Sequence, residues 1–266
     1  MATTKPKARS DSAPGSKKDA PIFTPTPEAR SSANSKRLIA IILWIVAIAL
    51  EAVAIFWLLR PPFDELAENQ GFPQWRFYAL IGAFVVIGAL SITGSFLWKK
   101  ANRLDPASRK EPVRFFVQNQ LGAIIALIAF VPLVILVFLN KDMDGKQKGI
   151  AGGVGVAIAL AAVLLGIDFK PLSQEQAAVE SQVVIQLVGE DSVWWSEGGK
   201  VVHLCEQASD IKNASTPIHN TTIADALAEG KEGITLKLDT ELNQCGLPIP
   251  ENLADIEAWV REARGK

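Results

Sequence analysis

Cysteine and histidine are scarce in this chain, with two of each among 266 residues. Two cysteines exclude a disulfide-framed scaffold, which needs several bridges in a short chain. No CxxC or HxxxH spacing occurs, so a structural zinc site has no recognisable frame. No GxSxG elbow surrounds Ser192 or Ser196, and no glycine-rich phosphate loop follows a strand-like run. The 142–145 turn, with Asp142 and Asp144, lacks the later acids of a calcium loop, and Gly153 stands where the bidentate glutamate belongs. A net charge of −1 with no basic face excludes a nucleic-acid binder. The first apolar run starts too late, is too long and lacks a small-residue cleavage site, which argues against a secretory signal peptide. The reading is of a non-enzyme that takes no metal and no cofactor.

Charge is also missing where apolar residues concentrate. Residues 38–59, 77–98, 121–139 and 149–167 form four apolar runs, and the last three carry no charged residue. At about 1.5 Å per residue the first reaches roughly 33 Å, enough to cross the hydrocarbon core. Pro132, inside the third run, is tolerable in a membrane helix and suggests a kink. The expected fold is an α-helical membrane protein: a disordered basic arm over 1–35, a four-helix transmembrane bundle over 36–169 and a small soluble α+β domain over 170–266. The arm is rich in Ser, Thr, Pro and Lys and holds almost nothing large and apolar to offset ordering entropy. Thr24 and Thr26 are its candidate phosphorylation positions.

Orientation follows from Lys and Arg. Residues 1–37 hold eight and 99–116 hold six, whereas 60–76 hold two and 140–148 hold three. Fourteen against five places the N-terminus and the soluble domain in the cytoplasm, in a multi-pass protein of the cell membrane. The three lysines of 140–148 lie on the supposed outer side and are the weak point of that assignment.

One charge breaks the rule. Glu51 lies in the first run, where an acid costs on the order of 2.5–3.5 kcal/mol near mid-bilayer, so it is a functional candidate by default. Ala40, Ala47 and Ala54 share its helical face, which therefore packs against protein. No span offers it a Lys, Arg or His, and Ser91, the nearest polar candidate, lies roughly 9 Å away in depth. Either the acid is protonated and bonded locally, or another subunit supplies its partner. In the fourth run Gly149, Gly153, Ala157 and Ala161 form a small-residue ridge, which reads as helix packing within the bundle.

The tail begins with a helix over 171–187, with Ser173 and Gln176 as a capping box. A hairpin is expected from 193–195 and 201–204, around Gly198 and Gly199. Thr222 caps a short helix that stops at Gly230. In ITLKLDTELNQCG, Ile234, Leu236 and Leu238 alternate like a strand, while Ile234, Leu238, Leu242 and Cys245 make a helix stripe; helix is preferred. A last amphipathic helix over 251–264 buries Leu253, Ile256, Trp259 and Val260. Three readings stay open for His203, Cys205, His219 and Cys245: unbonded cysteines with surface imidazoles, a Cys205–Cys245 disulfide that would require an external tail, and a metal site. Trp194 and Trp195 point to opposite faces of a strand, so one of them is a candidate docking residue.

The stretches NKDMDGKQKGIAGG, DFKPLSQEQ, VWWSEGGKVVHLC and NQCG, within roughly residues 36–250, resemble a group of four-span actinobacterial membrane proteins. One corynebacterial member of that group is an accessory subunit of the cytochrome bcc–oxidase respiratory supercomplex. The resemblance implies a subunit that binds no haem or copper, and both histidines indeed lie outside the spans. The expected function is therefore a non-catalytic accessory or stabilising subunit, whose partners are the lipid bilayer and other membrane subunits. The alternatives are a small proton-linked transporter using Glu51, disfavoured by the lack of an inverted repeat or a second buried ionisable group, and a membrane-tethered redox or metal sensor using the tail Cys and His.

Overall fold

The computed structural model describes residues 23–265. Four of its helices are long and apolar enough to cross a membrane. They are α1 (Pro27–Val53), which continues as a π-helical turn (Ala54–Leu58), α3 (Gln74–Leu104), α4 (Pro112–Leu139) and α5 (Gly145–Gly166). A short α2 (Phe63–Asn69) lies between the first two. Their outer surfaces are covered with exposed large apolar side chains such as Ile45, Val85, Ile135 and Leu160. That is the distribution expected where the surrounding solvent is lipid.

Helices α1 and α5 begin ahead of their apolar runs, each at a polar cap. Residues 1–22 of the predicted arm lie outside the described residues, but its last part is helical rather than disordered. Thr26 accepts a hydrogen bond from the Ala29 amide at 3.1 Å and Pro27 occupies the first turn. Both are helix-start signals that composition alone conceals. Asp144, from the calcium-like turn, caps α5 in a reciprocal box with Gln147. Helix α4 remains one helix through Pro132.

Inside the bundle, α1 and its π-helical turn bury Ala40, Trp44, Ala47, Glu51, Ala54 and Leu58, a stripe recurring every three or four residues. The small members let α3 come close: Trp44 packs against Gly94 and donates to the Ser91 carbonyl at 3.3 Å. Phe84 of α3 and Phe130 of α4 stack with ring centres 6.3 Å apart at the centre of the core.

The soluble part comprises α6 (Gln174–Val188), β1 (Val193–Ser196), α7 (Ser209–Lys212), β2 (Ile218–Thr221), α8 (Ile223–Ala228), α9 (Leu238–Cys245) and α10 (Leu253–Ala263). The caps read at Ser173 and Thr222 both form, although the Gln176 side chain turns away from Ser173 to Glu180 and the Glu232 carbonyl. The predicted hairpin does not form as such. β1 pairs antiparallel with β2, setting Trp195 opposite His219, while 201–204 contribute one antiparallel bridge from His203 to Trp194 and one parallel bridge from Val202 to Ile234. A strand has two edges, and the sequence-distant β2 takes the longer pairing. The ambiguous segment divides accordingly: Ile234 bridges like a strand, and helix α9 starts only at Leu238.

Candidate functional site

Four places carry the candidate residues. Glu51 is 5 % exposed and lies inside this chain's own bundle, beside the backbone of Leu133 on α4. Leu133 directly follows Pro132, whose missing N–H and ring disturb the helical ladder there. The second carboxylate oxygen, Oε1, has no hydrogen-bond partner, and neither does the Ser91 hydroxyl. No hydrogen bond joins the two groups. The π-helical turn begins three residues after Glu51, and such turns recur at functional sites. Its end is held from outside: Arg76 donates to the Trp57 carbonyl and Asn140 to the Leu59 carbonyl at 2.9 Å. Arg76 also grips Glu65 at 2.7 and 2.9 Å, which holds that carboxyl below its usual range, and it lies over the rings of Trp57 and Trp75. Glu51 is thus enclosed by this chain's own helices.

The predicted ridge also faces elsewhere. Gly149, Gly153, Ala157 and Ala161 are all exposed, and a Cβ placed on Gly149 or Gly153 would meet nothing within 4 Å. Packing within the bundle uses the adjoining face of α5, through Ala151, Gly152, Gly155, Ala162 and Gly166. There a Cβ on Gly155 would lie 2.7 Å from the Phe84 ring, and one on Gly166 would strike the backbone of Ala123 at 2.6 Å. Small residues cover two faces of α5, so their spacing alone could not choose between them.

A third place escaped the sequence reading entirely. The loop between α3 and α4 acts as a hub joining bundle and soluble domain. Arg37 of α1 reaches its Asp105 carboxylate at 2.7 Å and its carbonyl at 2.9 Å. The Glu175 carboxylate of α6 accepts from the Ser108 hydroxyl and the Arg109 amide. Burial pushes the Glu175 carboxyl up, but hydrogen bonds from Ser108 and from the Arg109 and Lys110 amides together hold it below the ordinary value. Arg109 donates to the carbonyls of Ala263 and Arg264 at 2.7 and 3.0 Å, closing the C-terminal end of α10. The available signal was a basic loop, which was read only as a topology marker.

The soluble domain holds the fourth. Cys205 and Cys245 form a disulfide with Cα atoms 5.8 Å apart. Of the three readings left open for the Cys and His residues, this is the one the structure contains; among the described residues no cluster of three His, Cys, Asp or Glu could hold a metal ion. His203 is buried rather than on the surface, with Nδ1 3.1 Å from Glu241 Oε2, and the other Glu241 oxygen accepts from the Leu204 amide. Trp195 is buried too, with Nε1 donating to Thr221, one ring face stacked on His219 at 4.3 Å, and Lys231 lying 4.6 Å from the ring centre. Lys231 places its three donors on the carbonyls of Ser196, Glu197 and Gly199, and burial pulls its ammonium below the usual range. Trp195 is therefore a core residue and not a docking one; Trp194 is half-buried on the opposite face.

No family model, no curated protein and no solved structure matches this chain.

Proposed function

We propose that this multi-pass protein is a non-catalytic accessory or stabilising subunit of a larger membrane complex. The observation that carries the reading is the outward ridge of α5. A helix that already packs its own bundle through one small-residue face carries a second one, Gly149, Gly153, Ala157 and Ala161, open to the surroundings. In lipid, where apolar surface gives no drive to associate, such a face favours close approach of another helix. The resemblance noted above makes a respiratory cytochrome bcc–oxidase assembly the candidate complex. On the fourteen-to-five excess of Lys and Arg, the N-terminus and the soluble domain face the cytoplasm, a placement that the Cys205–Cys245 disulfide opposes unless that bond is transient. The test is purification in mild detergent with identification of co-purifying chains, compared between wild type and Gly153→Leu/Ala157→Leu. Loss of the co-purifying chains with a melting temperature that does not fall supports the reading. A wild-type protein that purifies alone as a monomer counts against it.

Glu51 favours one second reading, a proton-linked carrier, because its buried carboxyl has an unpartnered oxygen beside a π-helical turn. Glu51→Gln separates the two. Loss in the variant of a proton-coupled flux that the wild type shows, with the complex intact, supports a carrier, and a wild type that shows no such flux supports the subunit.

A further inference from the structure

Two segments of the soluble domain are joined twice, at adjacent levels. His203 and Cys205 are two residues apart on one segment, and Glu241 and Cys245 lie four apart on one face of α9. One level is polar and enclosed: His203 Nδ1 and the Leu204 amide against the Glu241 carboxylate, with His203 and Glu241 both about 95 % buried. The other is the Cys205–Cys245 bond, whose cysteines are half-buried and within reach of solvent. A disulfide in a cytoplasm-facing domain is commonly transient or redox-sensing.

We propose that Cys205–Cys245 is a reversible thiol switch opened by a dithiol reductant, and that the His203–Glu241 level holds α9 in place while the bond is open. The proposal rests on the cytoplasmic placement given above. In the reducing direction a thiolate of the reductant attacks one cysteine sulfur and displaces the other as a thiolate, forming a mixed disulfide. The reductant's second thiolate then releases the first cysteine. The reductant leaves as a disulfide, and the protein gains two electrons and two protons.

The bond lies at the last residue of α9, and residues 246–252 lead from it directly into α10. The far end of α10 is gripped by Arg109 of the bundle loop through the Ala263 and Arg264 carbonyls. Opening the bond therefore loosens the 246–252 connection and the start of α10, while its far end stays held by Arg109 and by Arg264 on Glu180. Helix α9 stays where Glu241 fixes it, which keeps the two sulfurs near each other for re-formation.

The test uses the full chain in native membranes. A Lys200→Cys reporter in a C205S/C245S background reads the side of the membrane independently of the bond. The reporter is expected to react with an impermeant maleimide only after permeabilisation. In the otherwise wild-type chain, Cys205 and Cys245 are expected to be free thiols in untreated cells, to become protected on treatment with diamide, and to be freed again by dithiothreitol. A reporter labelled from outside removes the placement and the switch together. A cytoplasmic reporter beside a bond that dithiothreitol opens only in denaturant overturns the switch alone. Hydrogen exchange of the purified chain reads the two levels separately. Reduction is expected to speed exchange in 246–252 and the first turn of α10 about tenfold while α9 stays slow, and Glu241→Gln to release α9 only in the reduced form. An equal effect of Glu241→Gln in both forms overturns the two-level arrangement.

Discussion

Glu51 and Glu180 are the same residue type, both enclosed, in the two halves of the molecule, and they are treated in opposite ways. Glu180, wholly buried in the soluble domain, accepts from Gln176 at 2.9 Å, from the Ile234 amide at 2.7 Å and from Arg264 at 2.8 Å. Glu51, in the bundle, leaves one oxygen unmet. The contrast extends beyond this pair. Among the described residues, the three buried side-chain atoms without a partner are Glu51 Oε1, Ser91 Oγ and Asn102 Oδ1, all on bundle helices. The soluble domain builds its core around closed polar networks, in which each buried charge is matched. The bundle builds its core from small and aromatic residues and carries its polar groups at a cost. Stability explains the first arrangement and not the second.

The largest expected effect tests the closed half. Glu180→Ala strands the Arg264 guanidinium and the Ile234 amide in the core and should destabilise the soluble domain by about 3–5 kcal/mol. Urea unfolding followed by tryptophan fluorescence measures it. A loss below about 1 kcal/mol would mean that the network is no tighter than a surface pair, and the comparison would collapse.

The same substitution logic should change sign in the open half. Glu51→Leu removes an acid that is poorly matched and keeps its volume, so the bundle should gain about 1–3 kcal/mol. The measurement is the thermal midpoint of the purified protein in detergent. A fall in that midpoint would show that Glu51 is held by a group that pairs with it as fully as Arg264 pairs with Glu180.

Next in size are the two faces of α5. Gly155→Leu drives a side chain into Phe84 and Val134 and should cost about 1–3 kcal/mol. Gly153→Leu points outward, meets nothing, and should gain about 0.5–1 kcal/mol from helix propensity. Equal melting shifts for the two variants would erase the distinction between an inner and an outer face.

These sites also mark where sequence was informative. The four spans were readable because apolarity over some twenty residues is a local property. So was the α1 stripe, where Ala40, Ala47 and Ala54 share a face with Glu51 and the structure buries all four. The α5 ridge was legible as small residues but not as a direction, since Gly and Ala occupy both faces. Strand β2 went unread because Ile218 and Asn220 are exposed, His219 and Thr221 half-buried, and the four give no apolar alternation. Glu180, Glu241 and Lys231 look in sequence like any solvated charge. Apart from Gln176, four residues before Glu180, their partners lie 32 to 84 residues away, and only the fold brings them together. The loop hub was hidden by its own composition: Arg109 counts toward topology whether or not it also clasps α10.

The smallest prediction concerns the seam between the halves, where Glu175 belongs to the closed network and its socket belongs to the bundle. Its folded-state value lies below the unfolded carboxyl value of about 4.3, because the Ser108, Arg109 and Lys110 donors outweigh burial. A group shifted in that direction adds stability that is complete above the unfolded value and is lost as pH falls through the folded one. Wild type should therefore melt above Glu175→Gln at neutral pH, and the gap should close on acidification below about pH 4. Glu175 is only partly buried, so the gap itself should be small. Domain-to-bundle distance, read by a spin-label pair at exposed positions on α8 and α4, should widen over the same range in wild type. A gap that persists at low pH would show that Glu175 acts through its shape and not its charge. The clasp would then belong with the close-packed bundle and not with the matched charges of the soluble domain.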